Sequence, residues 1–368
     1  MNRKRIQFLV SLLVTALFLW LAFRPVNLPD LWRAMGQVNY LWAIPFMAVT
    51  ILSMYFRTLR WKYLLEPVVK VPAPRLFSPI MICFALNSIL PARAGEFARA
   101  YLVSRDHKAR FGSTFATVIV ERIADGLGLL AFFVVILAVV QLDEEFKMPW
   151  GGYVIDSAML QQLSRKLLVI CVVMLAGSLL MLWTPFRRLV QRLVGAVPVV
   201  PHGLKEGVNH FIESFVQGFH SLRSLRIVFW ITVHTALVWL LVGWSLQIMS
   251  FGFPETESFR HMTFLEGMAT SIIICIAILI PAAPGYWGLY EVGAILALLM
   301  LGVAKNQTLA MSYALVAHFL QMAPILVLGF YFMWRRHMGL AEITASSEAE
   351  SPGENALPPV VTTPDAQP

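Results

Sequence analysis

The chain has 368 residues, 58% of them hydrophobic and 14% charged, with a formal net charge of +8 and a mean hydropathy of +0.70. So apolar a composition excludes a soluble globular domain, and several apolar runs reach the roughly 20 residues that span a bilayer. In a membrane protein an excess of Lys and Arg belongs to the cytoplasmic loops, so the basic pI of about 9.6 implies no nucleic-acid partner.

Arg3, Lys4 and Arg5 precede an unbroken apolar run over residues 6–23. Arg24-Pro25 follows where a signal peptide would show a small-residue cleavage site, so this run reads as an uncleaved first span. Residues 41–56 form the second span, and the basic stretch after it (Arg57, Arg60, Lys62, Lys70, Arg75) reads as cytoplasmic. Residues 76–90 are apolar but short for a span, and they end in Pro-Ala-Arg-Ala-Gly-Glu, which suits a re-entrant segment. Residues 99–113 contain Arg105, Lys108 and Arg110 and also read as cytoplasmic, so the segment dips in and returns.

The third span is predicted over 115–142, followed by an acid-rich outer loop over 143–164 and a crossing at 167–183. Over 203–224, Val208, Phe211, Ile212, Phe215, Phe219 and Leu222 recur at helical spacing. That pattern predicts an amphipathic helix at the inner interface or against a partner. The fifth span covers 227–249. Residues 264–280 are apolar, break at Pro-Ala-Ala-Pro-Gly-Tyr-Trp-Gly-Leu-Tyr-Glu, and resume over 292–303. A last span over 309–334 ends at Arg335 and Arg336. The stretch 338–368, rich in Pro, Ser, Glu and Ala, reads as a disordered cytoplasmic tail.

The expected fold is therefore an all-α polytopic membrane protein with about six full spans and two broken helical hairpins. The membrane domain covers 1–337 and both termini lie in the cytoplasm. Lys and Arg fall on the inner side about three to one, as the positive-inside rule requires. That topology relates the two halves by inversion, with the breaks at 88–97 and 278–287 in corresponding places. Paired Pro/Gly interruptions of this kind point to a transporter-type site near the midplane. Two ordinary loops between short helices would read the same way.

Ionisable groups at membrane depth cost about 2.5–3.5 kcal/mol each on insertion scales, so they mark function or are paired. Glu121 and Asp125 share a helical face, and Arg122 is placed to pair with Asp125. Arg93 and Arg99 are the nearest cations in sequence. The cluster either ties the first break to the third span or leaves one guanidinium free for a phosphate, which it matches bidentately. In the second break, Glu291 either caps its own helix or serves transport, and Gly285 and Gly288 let backbone approach closely. His234 and His318 lie in spans at no ligand spacing and read as packed neutral side chains. Cys83, Cys171 and Cys275 lie in apolar runs without metal spacing, so no metal or cofactor is expected. No nucleotide loop and no nucleophile motif appears in the chain, which reads as a carrier and not an enzyme.

Asn-x-x-Leu-Pro-Ala-Arg-Ala-Gly-Glu at 87–96, Val-x-x-Glu-Arg-x-x-Asp at 118–125 and Pro-x-x-Pro-Gly-x-x-Gly-x-x-Glu at 281–291 occur in this order. Together they resemble the lysylphosphatidylglycerol synthase transmembrane family of flippase-like proteins. In multidomain members of that family a membrane part of this kind precedes a cytoplasmic lysyltransferase and moves its product across the bilayer. The 31 residues after position 337 hold no such domain, so the resemblance implies lipid handling and not lysyl transfer. It places Arg93, Glu96, Arg99, Glu121, Arg122, Asp125, Pro284, Gly285, Gly288 and Glu291 at the matching positions, as candidates for binding substrate. The function it implies is binding and translocation of a phospholipid or polyprenyl-phosphate headgroup in a bacterial cytoplasmic membrane. The alternatives are an accessory subunit or enzyme of glycolipid or polyprenyl-phosphate-sugar assembly, and a scaffold for a membrane partner. A second copy of the chain is left open as a partner.

Overall fold

The computed structural model describes residues 15–90, 93–140, 147–150, 153–180, 224–279 and 284–336, with residues 13, 185, 186, 188, 189 and 192 in isolation. The helix expected over 203–224, the tail expected over 338–368 and most of residues 1–14 lie outside the described residues.

Among the described residues the architecture is helical except for one short hairpin. In chain order, residues 15–23 form helix α1. Then come α2 (Leu28–Gly36), α3 (Ala43–Leu65), α4 (Ala73–Asn87), α5 (Gly95–His107) and α6 (Phe111–Val139). Strands β1 (Lys147–Trp150) and β2 (Tyr153–Asp156) pair antiparallel, with Lys147 opposite Asp156 and Trp150 opposite Tyr153. Helices α7 (Ser157–Leu180), α8 (Leu225–Ser250), α9 (Phe264–Ala277), α10 (Leu289–Met300) and α11 (Gln307–Arg335) follow. Among the described residues, four segments are long and apolar enough to cross a membrane: Tyr40–Leu65, α6, α8 and α11. At 24 residues, α7 has the length of a span as well. The polytopic all-α membrane architecture expected from the sequence is the one observed.

Three elements depart from the sequence reading. The loop assigned to residues 143–164 contains the β1–β2 hairpin and the first turns of α7. Helix α2 lies where no element was expected. Asn27 caps it by accepting from the Asp30 amide at 3.4 Å, and Pro29 sits in its first turn, where the missing N–H costs nothing. The basic stretch 99–113 is for the most part the helix α5, whose Ala98, Arg99, Ala100, Leu102 and Val103 are buried.

The two interrupted segments are now concrete. Helices α4, α5, α9 and α10 have 15, 13, 14 and 12 residues. At 1.5 Å per residue none exceeds about 23 Å, less than the hydrocarbon thickness of roughly 30 Å. Each pair, α4–α5 and α9–α10, instead packs on itself as a helical hairpin. The last helix, α11, packs against both hairpins and against α2. Helices α3 and α8 run antiparallel over their whole length. Tyr63 near the end of α3 stacks on Trp230 near the start of α8, and the Asn39 amide donates to Gly252 beyond the other end. The core between α3, α8, α9, α10 and α11 buries Phe46, Leu246, Met249, Ile272 and Leu298, and the Tyr313 hydroxyl donates to the Leu246 carbonyl at 2.6 Å.

The α4–α5 hairpin closes at Gly95. Its amide donates to the Asn87 side chain at 2.9 Å, and a Cβ there would lie 2.8 Å from the Cys83 carbonyl carbon. Gly95→Val should therefore destabilise the protein by about 1–3 kcal/mol through overpacking. The check is a lowered unfolding temperature of the purified protein in detergent, with Gly36→Ala, which meets no neighbouring atom, as the control.

At the start of α9, outside the spanning segments, Thr263 and Glu266 form a capping box, and Arg260 grips the Glu266 carboxylate at 2.6 and 2.9 Å. Burial pushes this carboxyl up, but Arg260 and Thr263 hold it below its ordinary value of 4.5. A carboxylate with a lowered folded-state pKa stabilises the fold above its unfolded pKa and loses that contribution as pH falls through the folded value. Arg260→Gln should lower the unfolding temperature at neutral pH, and the gap to wild type should close as the pH drops below about 4.

Candidate functional site

Helix α6 begins at Phe111, so Glu121 and Asp125 lie about three to four turns inside a 29-residue apolar helix. No water reaches Glu121, which is fully buried. An ionised carboxylate there needs cations. Arg60 of α3 supplies the first: its Nη2 donates to Glu121 Oε1 at 2.7 Å and its Nη1 to Asp125 Oδ1 at 2.5 Å. The same Nη1 lies 3.1 Å from the Thr235 hydroxyl of α8. Arg99 of α5 supplies the second, with Nη2 at 2.7 Å from Glu121 Oε2. Arg99 is also fully buried, and its guanidinium lies over the Trp61 ring at 4.8 Å. Among the described residues its Nε and Nη1 have no hydrogen-bond partner.

Asp125 faces a wetter side. Arg122 pairs with it at 3.1 Å, as its spacing predicts, and reaches across to Glu96 of α5 at 3.0 Å. Arg57 of α3 lies 3.9 Å from Asp125 and over the Phe84 ring. Four guanidiniums (Arg57, Arg60, Arg99, Arg122) thus meet three carboxylates (Glu96, Glu121, Asp125), and the cluster holds one surplus positive charge. Arg57 has the longest contact in it.

Three of these residues, Arg57, Arg60 and Arg99, were assigned by sequence to cytoplasmic stretches. The structure corrects this: α3 runs on to Leu65, and Arg60 is fully buried in the middle of the cluster. A signal was present, because Leu59, Trp61, Leu64 and Leu65 continue an apolar helix past Arg57. Conversely, Arg93 does not join the carboxylates. It sits exposed at the first break with a φ of 54°, left-handed backbone that non-glycine residues rarely adopt, and makes no ion pair among the described residues. Arg99, named beside it, is the one that reaches Glu121.

The second break faces the first. Pro284 opens a 3-10 turn in which Gly285 has a φ of 77° and Tyr286 of 58°, and Gly288 follows at 86°. A Cβ on Gly285 would lie 3.3 Å from the Ser88 carbonyl, so the backbones of the two breaks touch. Glu291 is fully buried and caps α10: Oε2 accepts the Gly288 amide at 2.6 Å. Its Oε1 is 2.7 Å from Nδ1 of His318 on α11, whose ring stacks on Tyr290 with centroids 4.1 Å apart. Sequence spacing missed this pair because the partners are 27 residues apart on different helices. The available signal was a lone ionisable residue in a span.

The architecture and the site together define a multi-pass helical membrane protein in which two broken hairpins meet beside a buried arginine–carboxylate cluster. A family model described as the lysylphosphatidylglycerol synthase TM region matches residues 8–329, and the chain belongs to that family. No curated protein matches the chain.

Breaking a buried ion pair from one side costs about 3–5 kcal/mol, because the other charge is stranded. Arg60→Met should do this and yield protein that unfolds early or fails to fold. Arg60→Lys should recover only part of the loss, since one ammonium cannot bridge Glu121 and Asp125 as the guanidinium fork does. Thermal unfolding in detergent, comparing the two variants, is the measurement.

Proposed function

We propose that the protein binds the phosphate headgroup of a lipid at the meeting point of the two breaks and translocates it across the bacterial cytoplasmic membrane. Both termini face the cytoplasm. The observation that carries this reading is the surplus cation of the buried cluster, beside backbone that is broken at membrane depth. Arg57, held only at 3.9 Å from Asp125, and Arg93, exposed at the first break, are the guanidiniums least committed to a carboxylate. An anionic phospholipid or a polyprenyl phosphate supplies the complementary charge, and guanidinium matches its oxygens bidentately. Non-helical backbone at that depth is tolerated where it lines a wet cavity or is buried in protein. The paired breaks then act as two re-entrant hairpins flanking the path. No covalent step is assigned; Arg60, Glu121 and Asp125 frame Arg57, and the first break carries Arg93.

Reconstitution tests the reading. Liposomes containing the purified protein should translocate a fluorescent phosphatidylglycerol faster than empty liposomes. Arg57→Ala and Arg93→Ala should each slow that transfer about tenfold, the loss of one charge-assisted contact, while unfolding at the wild-type temperature. Undiminished transfer in both variants would refute the site. No transfer by wild-type protein would return the chain to the alternative, an accessory part in glycolipid assembly.

A further inference from the structure

At the end of the molecule where α4 begins and α5 and α11 finish, a cavity of about 400 Å³ opens. Arg75, Ser78, Asp106, Phe332, Arg335 and Arg336 line it. Arg336 is anchored there: it donates to the Asp106 carboxylate at 2.6 Å and to the Ser78 hydroxyl at 2.9 Å. Arg75 and Arg335 are exposed and form no ion pair among the described residues. One carboxylate against three guanidiniums leaves the cavity strongly positive, with two cations aimed at solvent.

A second, apolar depression of about 460 Å³ adjoins it, lined by Ile51, Leu52 and Tyr55 of α3 and by Pro74 and Phe77 of α4. Pro74 lines both, and Phe77 packs edge-on against Phe332 of the basic cavity at 6.0 Å. The depth is set by α11. Tyr331 and Trp334, both exposed, stand just before Arg335, the order in which an aromatic belt and a basic flank meet the headgroup layer.

We propose that this pair of depressions seats one anionic phospholipid, its phosphate between Arg75 and Arg335 and an acyl chain along Ile51, Leu52, Tyr55 and Phe77. A phosphate alone would need no apolar trough, and an acyl chain alone no cations. The shared edge at Pro74 puts the two at the spacing of one molecule. This seat is separate from the headgroup site at the buried cluster and does not depend on translocation. It lies where α11 closes on the first hairpin, so its occupant bridges the two halves of the protein.

The test uses the full-length purified chain in detergent, with bound lipid counted by native mass spectrometry against added phosphatidylglycerol, phosphatidylcholine or glycerol phosphate. Wild type should take up phosphatidylglycerol in preference to phosphatidylcholine. The double variant Arg75→Gln/Arg335→Gln should bind one phosphatidylglycerol fewer, or bind it about thirtyfold more weakly, at about 1 kcal/mol per arginine near a headgroup. Leu52→Trp, which fills the trough and leaves every arginine in place, should weaken phosphatidylglycerol and leave glycerol phosphate unaffected. Comparing variant with wild type isolates this seat from lipid held elsewhere. Equal binding of phosphatidylglycerol by wild type and the double variant would overturn the proposal. So would displacement of the lipid by equimolar glycerol phosphate, which would make the cavity a site for soluble anions.

Discussion

The ionised carboxylate of Glu121 is the constraint that the rest of the molecule accommodates. It lies ten residues past the start of an apolar 29-residue helix and has no access to solvent. Leaving it unpaired would cost several kcal/mol, so its partners must arrive from other helices. They do: Arg60 from α3 and Arg99 from α5, each at 2.7 Å. Satisfying Glu121 therefore fixes where α3 and α5 stand relative to α6, and the bond from Arg60 to Thr235 adds α8. Without that demand, lipid tails would solvate these helices as well as they solvate one another, since no hydrophobic force drives them together within a bilayer.

The hairpins follow from the same logic applied to backbone. A helix of 12 to 15 residues is shorter than the roughly 30 Å hydrocarbon thickness, and the backbone groups at its end need partners. The sequence places a side chain at each end for that purpose. Asn87 accepts the Gly95 amide and so links the end of α4 to the start of α5. Glu291 accepts the Gly288 amide at the start of α10. His318 then holds the other oxygen of Glu291, which couples the second break to α11. Left-handed φ values occur at Arg93, Gly285, Tyr286 and Gly288. They occur in the two segments whose backbones touch between Gly285 and Ser88.

Charge is distributed unevenly between the two ends of this design. The buried cluster carries one positive charge beyond neutrality, and the outer cavity by Arg75 and Arg335 carries more. Burying an unbalanced charge is costly at the cluster, whereas Arg75 and Arg335 at the cavity are exposed. Under the proposed function, a phosphate-bearing lipid would supply the opposite charge at either location. The positions differ in what surrounds them: broken backbone at the cluster, an apolar trough beside the cavity.

Much was legible from the sequence alone. Hydropathy and length placed α3, α6, α8 and α11, because a span must be apolar over about 20 residues whatever it packs against. Pro91 and the Pro-Gly-rich run 281–288 located the breaks, since proline cannot continue a helix and glycine permits left-handed turns. Helical spacing also sufficed for Arg122 and Asp125, which are three residues apart on one face. Pairings across helices were not legible. Arg60 looks like a flanking basic residue until α3 is seen to run past it. Arg93 looks like the partner of Glu121 until the turn at the break aims it to the surface and leaves Arg99 inside. Glu291 and His318 meet only because α10 and α11 pack together. Periodicity along one chain determines which residues share a face. Which faces meet, and so which charges neutralise one another, is decided by the packing that must satisfy every buried charge at once.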